Sequence, residues 1–270
     1  MNLRVWPLAI AVALGAVACG TAPSGGASGG LLVLRYAPPT TKTTLKYAMT
    51  SNIVETMNST AANAQTVTVA TKGDVAEVIS PSSGGNHKIA ATYRNWTTQI
   101  DGLAPQPEAA LNGVTAMFVA DDYGHVLSVQ VSPKTATTQQ IGSTLQSVES
   151  SLLPALPKHP VKPGQTWKVT QSVTSGGLTI RIPVTYTYEG LSNGDPKIRV
   201  EATAKLSSAS LTGKETMSGL VYLLPTTHLL DRLSMQESFS GSATLPASGS
   251  QPATKEQVKM KIGVTLHRVQ

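Results

Sequence analysis

Residues 178–206 read LTIRIPVTYTYEGLSNGDPKIRVEATAKL, and their rhythm decides the fold. Leu178, Ile180, Ile182, Val184, Tyr186 and Tyr188 point one way along an extended chain, while Thr179, Arg181, Pro183, Thr185 and Thr187 point the other. Ile198, Val200, Ala202, Ala204 and Leu206 then alternate with Lys197, Arg199, Glu201, Thr203 and Lys205. A period of two is the strand period, because successive side chains of extended backbone face opposite sides. Between the runs, Asn193-Gly194 supplies two residues that tolerate positive φ, as a tight hairpin requires. The stretch predicts an antiparallel hairpin with one apolar and one solvated face.

The same period recurs outward from this hairpin. Val258, Met260, Ile262, Val264 and Leu266 alternate with Lys259, Lys261, Gly263, Thr265 and His267. Further strands are expected near 43–56, 65–71, 74–80, 87–100, 113–121, 125–132, 166–173, 211–223 and 228–241. Asp122-Tyr123-Gly124 is turn chemistry joining 113–121 to 125–132. Alternation falters within 43–56 and 87–100, where bulges are expected. Leu220 to Leu224, with Leu229, Leu230 and Leu233 beyond, form the most apolar stretch of the body. They read as core strand with Pro225 at a tip; a ligand-lining or membrane-touching edge is the alternative.

One segment leaves this rhythm. Ile141, Leu145, Val148 and Leu152 recur at helical spacing, Thr135 is a suitable N-cap and Pro154 closes the far end. Gly142 and many Ser and Thr residues make this helix weak in isolation, so it is expected to lie on the apolar face of the sheet. The class is therefore mainly β with a minor α element: a curved antiparallel sheet, or incomplete β-barrel, with a helix on its concave face. The proline-rich stretch 154–164 (PALPKHPVKPG) reads as a crossover inside a single domain spanning 31–270. A split near residue 160 is the alternative.

The N-terminus carries an address. Arg4 precedes the apolar run VWPLAIAVALGAV (5–17), which is shorter than the ~20 residues a bilayer span needs. Ala16-Val17-Ala18 is a small-residue cleavage pattern, so 1–18 read as a signal peptide. Cleavage there makes Cys19, the only cysteine in 270 residues, the new N-terminus. A lone cysteine at that place resembles the lipobox of bacterial lipoproteins, with Ala16 standing where leucine is usual. The resemblance implies acyl chains on Cys19 that hold the protein to a membrane of the bacterial cell envelope, on a periplasmic or outer face. Ordinary cleavage, leaving a free thiol, is the alternative. Residues 20–30 (GTAPSGGASGG) read as a flexible tether.

Composition narrows the function classes. Charged residues are only 13% of the chain and the formal net charge is +6. No arginine-rich or aromatic–basic run points to nucleic acid. His87, His125, His159, His228 and His267 are scattered and the body has no cysteine, so no metal site is expected. Gly190-Leu191-Ser192-Asn193-Gly194 matches G-x-S-x-G, but that pattern needs a strand-to-helix turn and here falls on a predicted hairpin. No nucleophile–base–acid group assembles, so neither catalysis nor a cofactor is expected. Asp121 and Asp122 read as favouring and solvating their turn. Trp96 and Trp167 read as core fillers whose N–H needs a partner.

An exported antiparallel sheet with a helix on its apolar face resembles the half-barrel of the LolA/LolB lipoprotein carriers and of LppX-type lipid-binding lipoproteins. Leu156-Pro157 followed by Pro160-Val161-Lys162-Pro163-Gly164-Gln165-Thr166-Trp167 is similar to a proline–valine–glycine–tryptophan signature in a family of bacterial envelope proteins with no assigned activity. The resemblance implies a carrier that shelters a lipid or a lipoprotein's acyl chain, and a monomer is expected. Its expected lining is Ile141, Leu145, Val148, Leu152, Ile180, Ile182, Val184, Tyr186, Val200 and Ile262. The alternative is a non-catalytic envelope scaffolding module whose core is filled by its own side chains.

Overall fold

The computed structural model describes residues 30–37, 39, 41–59, 62–80, 86–135, 138, 154–175, 178–207, 211–245 and 254–269. The strands are β1 (Thr43–Ser59), β2 (Ala62–Ser80), β3 (Asn86–Ile100), β4 (Gln106–Pro107), β5 (Thr115–Asp121) and β6 (Val126–Ser132), then β7 (Thr166–Ser175), β8 (Leu178–Ser192), β9 (Asp195–Ser207), β10 (Leu211–Leu223), β11 (Leu230–Leu245) and β12 (Thr254–Val269). They form one antiparallel sheet, curved and unclosed, in the order β6-β5-β3-β2-β1-β12-β11-β10-β9-β8-β7, with β4 beside β3. The chain lays down β1 to β6 outward from the centre and crosses to the opposite edge. It returns through β7 to β12, until β12 pairs with β1 from Lys46↔Val269 to Ser59↔Glu256.

The period-two runs fold as read. Ser192 pairs with Asp195, so the β8–β9 loop is Asn193 and Gly194 alone, at φ 54° and 92°. Ile182, Val184, Tyr186 and Tyr188 are buried together with Ile198, Val200, Ala202, Ala204 and Leu206. Val221, Leu223, Leu229, Leu230 and Leu233 are buried too, with Pro225 exposed at the tip, as the core reading requires.

Two details differ from expectation and a third agrees with it. The predicted strands 65–71 and 74–80 are one strand, β2, which runs through Gly73. The bulge expected in 87–100 is present: Lys72 pairs with Thr97 and Asp74 with Arg94, so Asn95 and Trp96 oppose Gly73 alone. Asn95 takes φ 56°, and the Trp96 ring covers Gly73 so closely that a Cβ there would fall 2.4 Å from it. The bulge expected in 43–56 is absent, since β1 pairs without a break from Thr43 to Met57. Alternation falters there because Ser51 and Glu55 take inward positions in phase with Leu45, Tyr47, Met49 and Ile53.

Two segments close one end of the sheet. Leu32 and Val161 exchange both backbone hydrogen bonds at 2.8 Å. Tyr36 N–H donates to Asp122 O, Leu156 N–H to Tyr123 O and Gly164 N–H to Tyr188 O. The stretches 30–37 and 154–165 thus bind the β5–β6 turn to β8, across the gap between the sheet's edges. The Tyr36 hydroxyl donates to Pro154 O and Trp167 Nε1–H to Ala155 O (2.6 Å). At the start of the predicted helix, Thr135 Oγ1 accepts the N–H of Thr138 at 3.1 Å, an N-cap bond. The helix body with Ile141, Leu145, Val148 and Leu152 lies outside the described residues, as do the signal 1–18 and Cys19.

Candidate functional site

Strand register sorts the inner face into rows. One row further from the closed end than Tyr188, Ile198, Val221, Leu233, Leu266 and Met49, the residues Trp167, Tyr186, Val200, Gly219, Met235, Val264 and Ser51 lie level. This row is solid core: Trp167 and Tyr186 stack at 5.5 Å, the Tyr186 hydroxyl accepts from Gln171, and burial pushes that hydroxyl's pKa up to about 12. The next row holds Val184, Ala202, Met217, Glu237, Ile262 and Ile53. Beyond it come Ala204, Glu215, Phe239, Met260 and Glu55, then Leu206, Gly213, Gly241, Val258 and Met57.

These last three rows form the candidate site. Small residues give them low relief. A Cβ on Gly213 would fall 2.5 Å from Phe239 Cε2, and one on Gly241 would fall 2.1 Å from Thr212 O. The Phe239 ring therefore lies along the sheet over two glycines. Ala202, Ala204, Gly213 and Gly241, edged by Met217, Met260 and Val258, make this part of the inner face apolar, and the side chains of Ala202, Ala204, Met217, Met260 and Val258 are buried.

The polar groups of the site are acids. Glu215 and Glu237 are both buried on the inner face of neighbouring strands, where their carboxyls interact. Burial raises the pKa of Glu215, and burial likewise raises that of Glu55 in the same row. The strand lysines and arginines lie on the outer face, with the exception of Arg268. It is level with Tyr47 at the exposed end of β12 and pairs with Asp231 at 3.1 Å. No inward base of the described strands reaches the three rows.

Of the ten residues expected to line a ligand, Val184 and Ile262 lie in these rows, and Ile182 is buried on β8. Tyr186 and Val200 belong to the solid row. Ile180 is part of β8, but its side chain lies outside the described residues, as do the four helical positions. Glu215, Glu237 and Phe239 were not singled out from the sequence. Their signal was available, because all three keep phase with Met217 and Met235 along β10 and β11.

A second polar cluster corrects the reading of Asp122. Its side chain is buried, not solvating the turn: it ion-pairs with Arg35, and His87 Nε2 lies 2.9 Å away without the alignment of a hydrogen bond. Burial lowers the pKa of His87. Asp121 does favour the turn, accepting the N–H groups of Tyr123 and His125 at 2.9 Å each. Burial pushes its carboxyl up, but the bonds from His125 and Tyr123 outweigh this and hold it below the usual range. A small recess beside the cluster is lined by Tyr36, Ile79, His87, Ile89, Ala120 and Leu229. No three metal-ligating side chains converge among the described residues. Trp96 and Trp167 are both buried; Trp96 Nε1–H has no partner among the described residues.

No family model and no curated protein matches this chain. Among solved structures it is similar to lipovitellin, described in terms of lipid–protein interactions, with a TM-score of 0.54 and 11% identity. That likeness covers 87% of this chain and 25% of the other, so this chain spans about a quarter of the length of the lipovitellin chain. DynF from the dynemicin biosynthesis pathway of Micromonospora chersina is aligned over 94% of this chain and 95% of its own, at 10% identity and a TM-score of 0.17, too low to bear on the fold. The lipovitellin likeness, at this identity, concerns the fold alone.

Proposed function

We propose that this chain is a non-catalytic, lipid-anchored envelope protein that holds an apolar ligand against the far rows of its inner face. The observation that carries the reading is the run of alanine, glycine and aliphatic side chains across β9 to β12, with no base turned inward along these rows. Covering apolar surface contributes about 25 cal/mol per Å², so a chain of methylenes is held without a specific polar contact. A fold shared with a protein described by its lipid interactions supports the same reading. The buried carboxyl pair sets the headgroup: a neutral hydroxyl or amide fits beside Glu215 and Glu237, whereas a carboxylate or phosphate would face like charge.

The test is a titration with a fluorescent long-chain alcohol and the matching fatty acid. The alcohol should bind more tightly than the acid at pH 8. Ala204→Leu, which adds bulk to these rows, should weaken the alcohol about ten-fold, or about 1.4 kcal/mol. Unchanged affinity in a folded Ala204→Leu protein would overturn the reading. Anchoring is checked separately, since Cys19→Ser should move the protein from the membrane fraction to the soluble one; retention would count against acylation.

A further inference from the structure

We propose that the outer face of β9, β10 and β12, at the ends away from the closed end, docks on an anionic bilayer surface. Toward the closed end, the cations of β9, β11 and β12 are matched. Lys197 and Arg199 both meet Glu189, Arg232 meets Asp195 and Asp231 at 3.2 and 2.9 Å, and Arg268 meets Asp231. Lys205, Lys214, Lys255, Lys259 and Lys261 are exposed on the outer face, and none forms an ion pair among the described residues. Outside the described residues the sequence holds a single acid, Glu149.

The register gathers these lysines instead of spreading them. Lys205 stands directly opposite Lys214, a like-charge cross-strand pair that costs stability. Lys214 is level with Lys259 across Ser240. At about 4.8 Å per strand the three positions fall within ~15 Å, and Lys261 is two residues, about 7 Å, further along. Thr216, Ser238 and Ser240 fill the ground between them. Glu201, the acid sharing β9's outer face with Lys205, is four residues away, about 13 Å. A broad, hydroxyl-covered sheet face with clustered point charges complements phosphate headgroups spread in a plane. It lacks the arginines and stacking aromatics that a nucleic acid would use. The proposal does not rest on the apolar-ligand reading.

The test is flotation of the full chain with vesicles of 3:1 phosphatidylcholine:phosphatidylglycerol and with pure phosphatidylcholine, read as the ratio of the two partition coefficients. Each lysine near an anionic surface is worth about a five-fold change. Lys205→Gln with Lys214→Gln should lower the ratio roughly 30-fold in 50 mM salt. Lys46→Gln with Lys88→Gln, an equal charge change elsewhere on the outer face, should lower it less than about three-fold. In 0.5 M salt the ratio should approach one, as screening shortens to a few ångströms. A ratio near one at low salt, or equal losses in the two double variants, would overturn the proposal. So would selective binding of an RNA oligonucleotide through these lysines with no preference for the anionic vesicles.

Discussion

Phe239 lies flat because the positions beneath it carry no side chain, and the cost of changing that differs from glycine to glycine. On Gly241 a Cβ meets the Thr212 carbonyl and the Gly213 backbone, neither of which can move aside. On Gly219 it meets the end of the Met235 side chain, which can swing away. Gly241→Ala should therefore cost about 3 kcal/mol and Gly219→Ala about 1 kcal/mol in urea unfolding, and equal costs would contradict the packing described. Glu215 makes a pH prediction. Its raised native pKa means that its contribution is fully present below the unfolded value, about 4.3, and is lost as pH rises toward the native one. Glu215→Gln removes that loss, so its stability relative to the parent should rise between pH 4 and pH 8. A flat or falling difference in urea midpoints would rule the raised carboxyl out. In the sequence, Glu215 and Glu237 look like ordinary strand polar residues. Only the phase of β10 and β11 turns them inward, and that phase is set by Met217, Met235 and Phe239 around them.

At the scale of elements, the hairpin at Asn193-Gly194 and the strands on either side were legible because local chemistry alone specifies them. The clasp formed by 30–37 and 154–165 was not. It depends on Leu32 meeting Val161 and on Arg35 meeting Asp122, contacts between residues 87 or more positions apart with no local pattern. The proline-rich stretch was correctly a crossover, yet its role in closing one end follows only from where β5, β6 and β8 bring their turns. Asp122 ties this clasp together from a buried position, while its partner Arg35 is more than half exposed. Asp122→Asn should therefore cost about 1–2 kcal/mol in urea unfolding, less than a fully buried pair would. A loss below about 0.3 kcal/mol would show the ion pair to be idle.

For the whole molecule, alternation yields the number and phase of strands but not the order in which they join. The β1–β12 seam brings the first and last strands together in the middle of the sheet, and no short-range signal encodes a pairing of that span. Curvature and the edges left at β6 and β7 likewise belong to the assembled sheet. The proposed use rests on the far inner rows receiving something other than the chain itself. Native mass spectrometry of the full chain purified from its own host tests this most directly. A lipid-sized mass adduct is expected on the parent protein and should be depleted in folded Ala204→Leu. Protein that emerges bare, or an adduct that Ala204→Leu leaves undiminished, would contradict a ligand on this face.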